Sequence, residues 1–112
     1  MAANARVAAT LTSSPPTAAE WMRRAGAVTR ARAELQRRVV RAGLQTSAEW
    51  TAVLGAFAGA CGKRSLPSFR RAALALRAVA PSLSAHVTSL EQALDALGDA
   101  TDARMAERQP PR

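Results

Sequence analysis

Apolar residues recur three and four positions apart in four stretches of this chain, the period of an amphipathic α-helix. The first stripe reads Trp21, Ala25, Val28, Ala31, Leu35, Val39 and Ala42, with Arg23, Arg24, Arg30, Arg32, Arg37, Arg38 and Arg41 on the other faces. Thr17 is its expected cap, after Ser13-Ser14-Pro15-Pro16, and Gly43 is its expected stop. The second stripe is Trp50, Val53, Leu54, Phe57 and Cys61, opened by Thr46. Gly55 and Gly59 lie inside it, where glycine weakens a helix, so close approach by a neighbouring helix is expected there. The third stripe is Leu66, Phe69, Ala73, Leu76 and Ala80, started by Ser65 or Ser68, with Pro67 tolerated in the first turn and Pro81 ending it.

The fourth stripe is the most regular. From a start at Ser82, Leu83, Val87, Leu90, Leu94 and Leu97 alternate four and three apart, which is a heptad seam. Two heptads are too few for an independent coiled coil. The seam therefore packs within the domain or, alternatively, serves as a docking strip for another chain.

These stripes, joined by short connections, predict an all-α fold. Its four antiparallel helices form two helical hairpins, as a bundle or a short helical-repeat array. The domain is expected over residues 17–108, between a flexible segment at 1–16 and a frayed tail at 109–112. Thr17-Ala18-Ala19-Glu20-Trp21 and Thr46-Ser47-Ala48-Glu49-Trp50 echo each other, each pairing a hydroxyl residue with Glu three places on. That is a capping-box pattern, and its recurrence suggests a repeated helical unit, which usually offers a surface rather than a catalytic pocket.

Composition sharpens this picture. The chain has 112 residues, two Trp, two Phe and no Tyr, so its core must be mostly Leu, Val and Ala. The formal net charge is +8, and it is uneven. Residues 1–80 carry thirteen basic and three acidic side chains, whereas residues 81–112 carry three basic and five acidic. A basic body suits a polyanion such as RNA, or an acidic protein surface. Nearly all the basic residues are Arg, which suits bidentate phosphate contacts but also follows from a GC-rich genome that favours Ala and Arg together.

Two basic clusters are candidate nucleic-acid contacts: Arg37, Arg38 and Arg41 near the end of the first helix, and Lys63, Arg64, Arg70 and Arg71 across the loop before the third. If both face one side, they form a stripe able to neutralise several phosphates. Trp21, Trp50, Phe57 and Phe69 all fall on core stripes, so no aromatic is left for base stacking and the contact should be phosphate-led.

The single cysteine, Cys61, excludes an internal disulfide and is expected in the core, and His86 flanks the fourth seam. With one Cys and one His, neither a nucleophilic triad nor a structural metal site assembles readily. Glu91, Asp95, Asp99 and Asp102 share a helix face, best read as a solvated acidic side. No phosphate loop or dinucleotide fingerprint occurs. The expectation is a non-enzyme with no cofactor and no small-molecule substrate. No apolar run is long enough to cross a bilayer, so no membrane insertion is expected. The first nineteen residues lack acids, which is compatible with a mitochondrial targeting segment as well as with a plain tail.

The stretch from Leu35 to Leu54, with Val39, Gly43 and Trp50-Thr51-Ala52-Val53-Leu54, resembles a pentatricopeptide-type repeat junction. Val87-Thr88-Ser89-Leu90 looks like a third helix start, with Leu94 and Gly98 in fitting places. The resemblance covers about 70 residues. It implies helical hairpins that read RNA through a small polar residue near each helix start, here Thr51 and Thr88. A second selecting position would fall near Leu83, which is apolar and cannot select a base. The leading expectation is thus a basic helical RNA-binding protein or ribonucleoprotein subunit, mitochondrial or cytoplasmic. The alternative is a small helical adaptor docking on proteins through the Leu83–Leu97 seam.

Overall fold

A computed structural model of the chain describes residues 17–58 and 66–108, among which there are four α-helices and no strand. They are α1 (Ala18–Arg41), α2 (Ala48–Ala58), α3 (Leu66–Val79) and α4 (Ser84–Arg108), with a 3-10 turn at Pro81–Leu83 between the last two. The all-α fold with helical hairpins expected from the periodicity is the fold found.

The ends of α1 follow from local chemistry. The Thr17 hydroxyl accepts from the Glu20 amide at 3.1 Å, closing the N-terminus. At the other end Gly43 takes a left-handed φ of 72°. The Leu44 amide then donates to the Val39 carbonyl and the Gly43 amide to that of Val40, at 2.9 and 3.0 Å. This is a Schellman closure, completed by Leu44 packing against the core.

The second helix corrects one expectation. Its cap is Ser47 rather than Thr46: the Ser47 hydroxyl accepts from the Trp50 amide at 3.1 Å and donates to the Leu44 carbonyl at 2.7 Å. The echo between the two segments is therefore out of register by one residue. Its two tryptophans also have different fates. Trp50 is buried, whereas Trp21 is half-buried and donates its indole N–H to the Thr101 hydroxyl at 3.1 Å.

Leu66, Phe69, Ala73, Leu76 and Ala80 are all buried, as their stripe requires. Pro67 sits in the first turn of α3, where no amide is needed. After Pro81 a 3-10 turn delays the start of α4 to Ser84, two residues later than expected.

The core joins Val28, Leu35 and Val39 of α1, Trp50 and Val53 of α2, the stripe of α3, and Leu83, Val87, Leu90 and Leu94. Each large side chain there contributes roughly 1.5–3 kcal/mol by leaving water. α2 and α3 form a hairpin. α1 makes its main contact with α4, not with α2, the next helix in sequence. Trp21 lies opposite Thr101 and Arg24 opposite Ala96, so the first and last helices run antiparallel. No described helix is long and apolar enough to cross a membrane.

Candidate binding face

The fourth seam is settled by burial. Leu83, Val87, Leu90 and Leu94 are 4, 1, 1 and 4% exposed, and half-buried Leu97 packs against the same cluster. Docking through Leu83, Val87, Leu90, Leu94 and Leu97 is therefore corrected: α1 and α3 already cover this seam. A partner could reach it only by unfolding the domain.

The arginines divide into two groups. Several are used inside the protein. Arg24 donates to the Ala96 carbonyl at 3.0 Å and to Glu20 at 2.8 Å, clamping α1 to α4. Arg77 donates to Glu91 at 2.6 Å and to the Thr88 hydroxyl at 2.7 Å, tying α3 to α4. Arg70 is a looser third member, 3.9 Å from Glu91. Glu91 is thus turned between helices and Asp95 is half-buried, so the four acids do not form one solvated side. Arg32 is half-buried, its guanidinium 5.8 Å from the centre of the Phe57 ring, with its Nε buried and without a hydrogen bond.

Arg37 and Arg38 both hydrogen-bond Glu34, one to each carboxylate oxygen. These bonds, that from Arg37 foremost, hold the Glu34 carboxyl below the usual carboxylate range. Arg23, Arg30, Arg41 and Arg71 are exposed and have no carboxylate within ion-pair distance among the described residues.

The two expected clusters are accordingly altered. In the first, Arg37 and Arg38 share a carboxylate and only Arg41 stands clear. In the second, Arg70 leans to Glu91, Arg71 stands clear, and Lys63 and Arg64 lie outside the described residues, as do Cys61 and Gly59. Gly55 is exposed with nothing within 4 Å of where a Cβ would sit, so among the described residues no neighbouring helix approaches it.

What the helix geometry does assemble is a ridge. Arg23, Arg30, Arg37 and Arg41 are seven, seven and four residues apart, intervals that return nearly to the same side of a helix. They point away from the Val28–Leu35–Val39 face and span about 27 Å at 1.5 Å per residue. Arg23 and Arg30 belong to neither of the dense basic clusters expected from the sequence. The signal that finds them is the seven-residue interval. Beside Arg37 and Arg41 lies an open depression of about 570 Å³, lined also by Ala33, Gln36 and Val40.

No described aromatic is free for stacking. Trp50 and Phe69 are buried, the Trp21 N–H is bonded and Arg32 lies over Phe57. The hydroxyls that the repeat resemblance assigns to base selection are also engaged. Thr51 donates to the Ser47 carbonyl at 2.9 Å, and Thr88 accepts from Arg77. His86 is half-buried, and no group of three or more potential metal ligands occurs among the described residues. No protein-family model matches the chain, and compared with curated proteins and with solved structures it is similar to none.

Proposed function

We propose that this chain is a non-catalytic basic helical subunit that docks on an anionic partner through the outer side of α1. The observation that carries the reading is the ridge itself. Arg23, Arg30 and Arg41 are exposed and have no carboxylate within ion-pair distance among the described residues, and Arg37 continues their line. Arg24, Arg38, Arg70 and Arg77, by contrast, each lie within ion-pair distance of a carboxylate. The phosphate-binding and adaptor readings of the sequence both move to this face. An RNA backbone is the simplest probe of it, because phosphate contacts report themselves through salt.

The test compares two triple variants of equal net charge against a short RNA duplex. Arg23→Ala/Arg30→Ala/Arg41→Ala removes the three ridge arginines that have no carboxylate partner among the described residues, and Arg70→Ala/Arg71→Ala/Arg112→Ala removes basic groups outside α1. The first should lower the slope of log affinity against log salt by about 2–3, since each lost phosphate contact removes a little under one unit. The second should change it less. Equal losses would mean that net charge alone attracts the RNA and that α1 is not a working face.

A further inference from the structure

Beside the arginine ridge runs a second line of residues: Met22, Gly26, Thr29, Ala33, Gln36 and Val40. Their spacing is four, three, four, three, four, the interval pattern of a helix seam, and none is charged. Met22 and Val40, near its ends, are 66 and 51% exposed. A solvent-facing helix side in a chain this rich in arginine is ordinarily filled with charge.

Arg23, Arg30 and Arg37 each follow directly after Met22, Thr29 and Gln36. They therefore occupy one repeated flanking position of the heptad, where paired helices set opposite charges against each other. Small Ala33 alternates with larger residues and leaves room for a partner's side chain, whereas the Arg30 guanidinium lies against Gly26, 3.3 Å from where a Cβ would sit. The depression lined by Ala33, Gln36 and Val40, with Arg37 and Arg41 at its rim, is such a seat. The Thr29 hydroxyl already donates to the Ala25 carbonyl at 3.1 Å, so Thr29 offers its methyl group without stranding a polar hydrogen.

We propose that this strip takes an acidic amphipathic helix from another protein, with apolar side chains on the strip and carboxylates against Arg23, Arg30, Arg37 and Arg41. The proposal rests on the reading of α1 as the working face, and it names the partner. Charge complementarity selects this occupant. Two copies laid strip to strip would set one arginine ridge against the other. Residues 1–16 carry Arg6 as their one charge and have no carboxylate to offer. A nucleic acid would use the arginines and leave the uncharged strip without a role. Exposed ion pairs and a modest apolar strip make a weak complex.

The test uses the full chain with two synthetic helical peptides about three heptads long, with Leu in the seam and either Glu or Lys at every flanking position. A short RNA duplex is the third probe. The Glu peptide should bind and the Lys peptide should not. Arg23→Glu/Arg30→Glu should weaken the Glu peptide by roughly tenfold or more and admit the Lys peptide. Ala33→Lys separates the partners. It adds a cation, so phosphate binding holds or strengthens, but it puts an ammonium group into the seam, so the Glu peptide weakens by roughly tenfold.

These positions are exposed or half-buried, and an unchanged helical circular-dichroism signal and melting temperature would confirm that the variants fold. Equal binding of both peptides, or a Glu peptide unaffected by Ala33→Lys, would overturn the proposal. If Arg23→Glu/Arg30→Glu abolishes RNA binding while neither peptide binds, the α1 face survives and the acidic helix does not. If that variant changes nothing, both readings fall. A concentration-dependent dimer in sedimentation that Ala33→Lys dissolves would give the strip to a second copy and overturn the proposal.

Discussion

Two lines of residues in this molecule share one spacing and have opposite fates. Leu83, Val87, Leu90, Leu94 and Leu97 turn inward, and the first four are at most 4% exposed. Met22, Gly26, Thr29, Ala33, Gln36 and Val40 alternate by the same threes and fours, yet Met22, Thr29, Gln36 and Val40 are exposed and Gly26 and Ala33 only half-buried. Periodicity defines a face of a helix; it does not say where that face points. The choice is made by how much apolar area each face removes from water. α1 has a better inward face in Val28, Leu35 and Val39, whereas α4 has no rival to its leucines.

The largest test of this difference sits at the centre of the inward line. Leu90→Ala should lower stability by about 2–5 kcal/mol in denaturant unfolding, the cost of a lost side chain plus the cavity it leaves. Leu90→Asp should give an unfolded chain. Val40→Ala, on the outward line, should stay within about 0.5 kcal/mol of the wild type. A folded, monomeric Leu90→Asp protein would mean that the fourth seam is not the core.

A smaller effect should distinguish the carboxylates of the two regions. Glu91 is 16% exposed and receives Arg77 from α3. Glu91→Ala leaves the part-buried Arg77 guanidinium with the Thr88 hydroxyl but without its carboxylate, and should cost about 1–3 kcal/mol. Glu34→Ala, which frees Arg37 and Arg38 on the surface, should cost much less, because exposed ion pairs are weak and screened. Comparable losses would show that the polar tie between α3 and α4 adds nothing beyond surface charge.

The sequence made much of this legible. The third and fourth stripes identify buried residues one by one because leucine and phenylalanine at helical spacing have no stable alternative to burial. The fold class follows from that spacing. The pairing of α1 with α4 does not, because it depends on tertiary contacts between residues eighty apart, such as Trp21 and Thr101. The basic face was only partly legible, for a related reason. Density along the chain picks out Arg37-Arg38 and Arg70-Arg71, but adjacent residues on a helix point about 100° apart. Whether a guanidinium is free depends on carboxylates such as Glu34 and Glu91, which become partners only after folding. Ser47 rather than Thr46 caps α2 because both residue types cap well and the geometry after the Gly43 turn decides between them.

Two glycines extend the contrast to the backbone. Gly43 holds a φ of 72° at the end of α1, a conformation that costs other residues free energy. Gly43→Ala should destabilise by about 1 kcal/mol. Gly55 lies on the open side of α2 with space for a methyl group, so Gly55→Ala should stabilise by about 0.5–1 kcal/mol. Opposite signs in paired thermal melts are the expected result. A destabilising Gly55→Ala would mean that this side of α2 is covered.

The smallest effect concerns the acid inside the arginine ridge. Glu34 has its folded pKa lowered by Arg37 and Arg38. A depressed carboxyl stabilises the fold above its unfolded pKa, and that contribution disappears as pH falls through the lowered folded value. The melting-temperature gap between wild type and Glu34→Gln should therefore be open at neutral pH and close in acid. The same protonation releases two guanidinium groups beside the ridge. Phosphate binding should then strengthen on acidification, because the phosphodiester backbone keeps its charge, whereas a Glu-bearing helix loses its own charge in the same range and should weaken. Opposite pH trends for the two probes would separate them without any mutation. Parallel trends would mean that Glu34 does not govern the charge of this face.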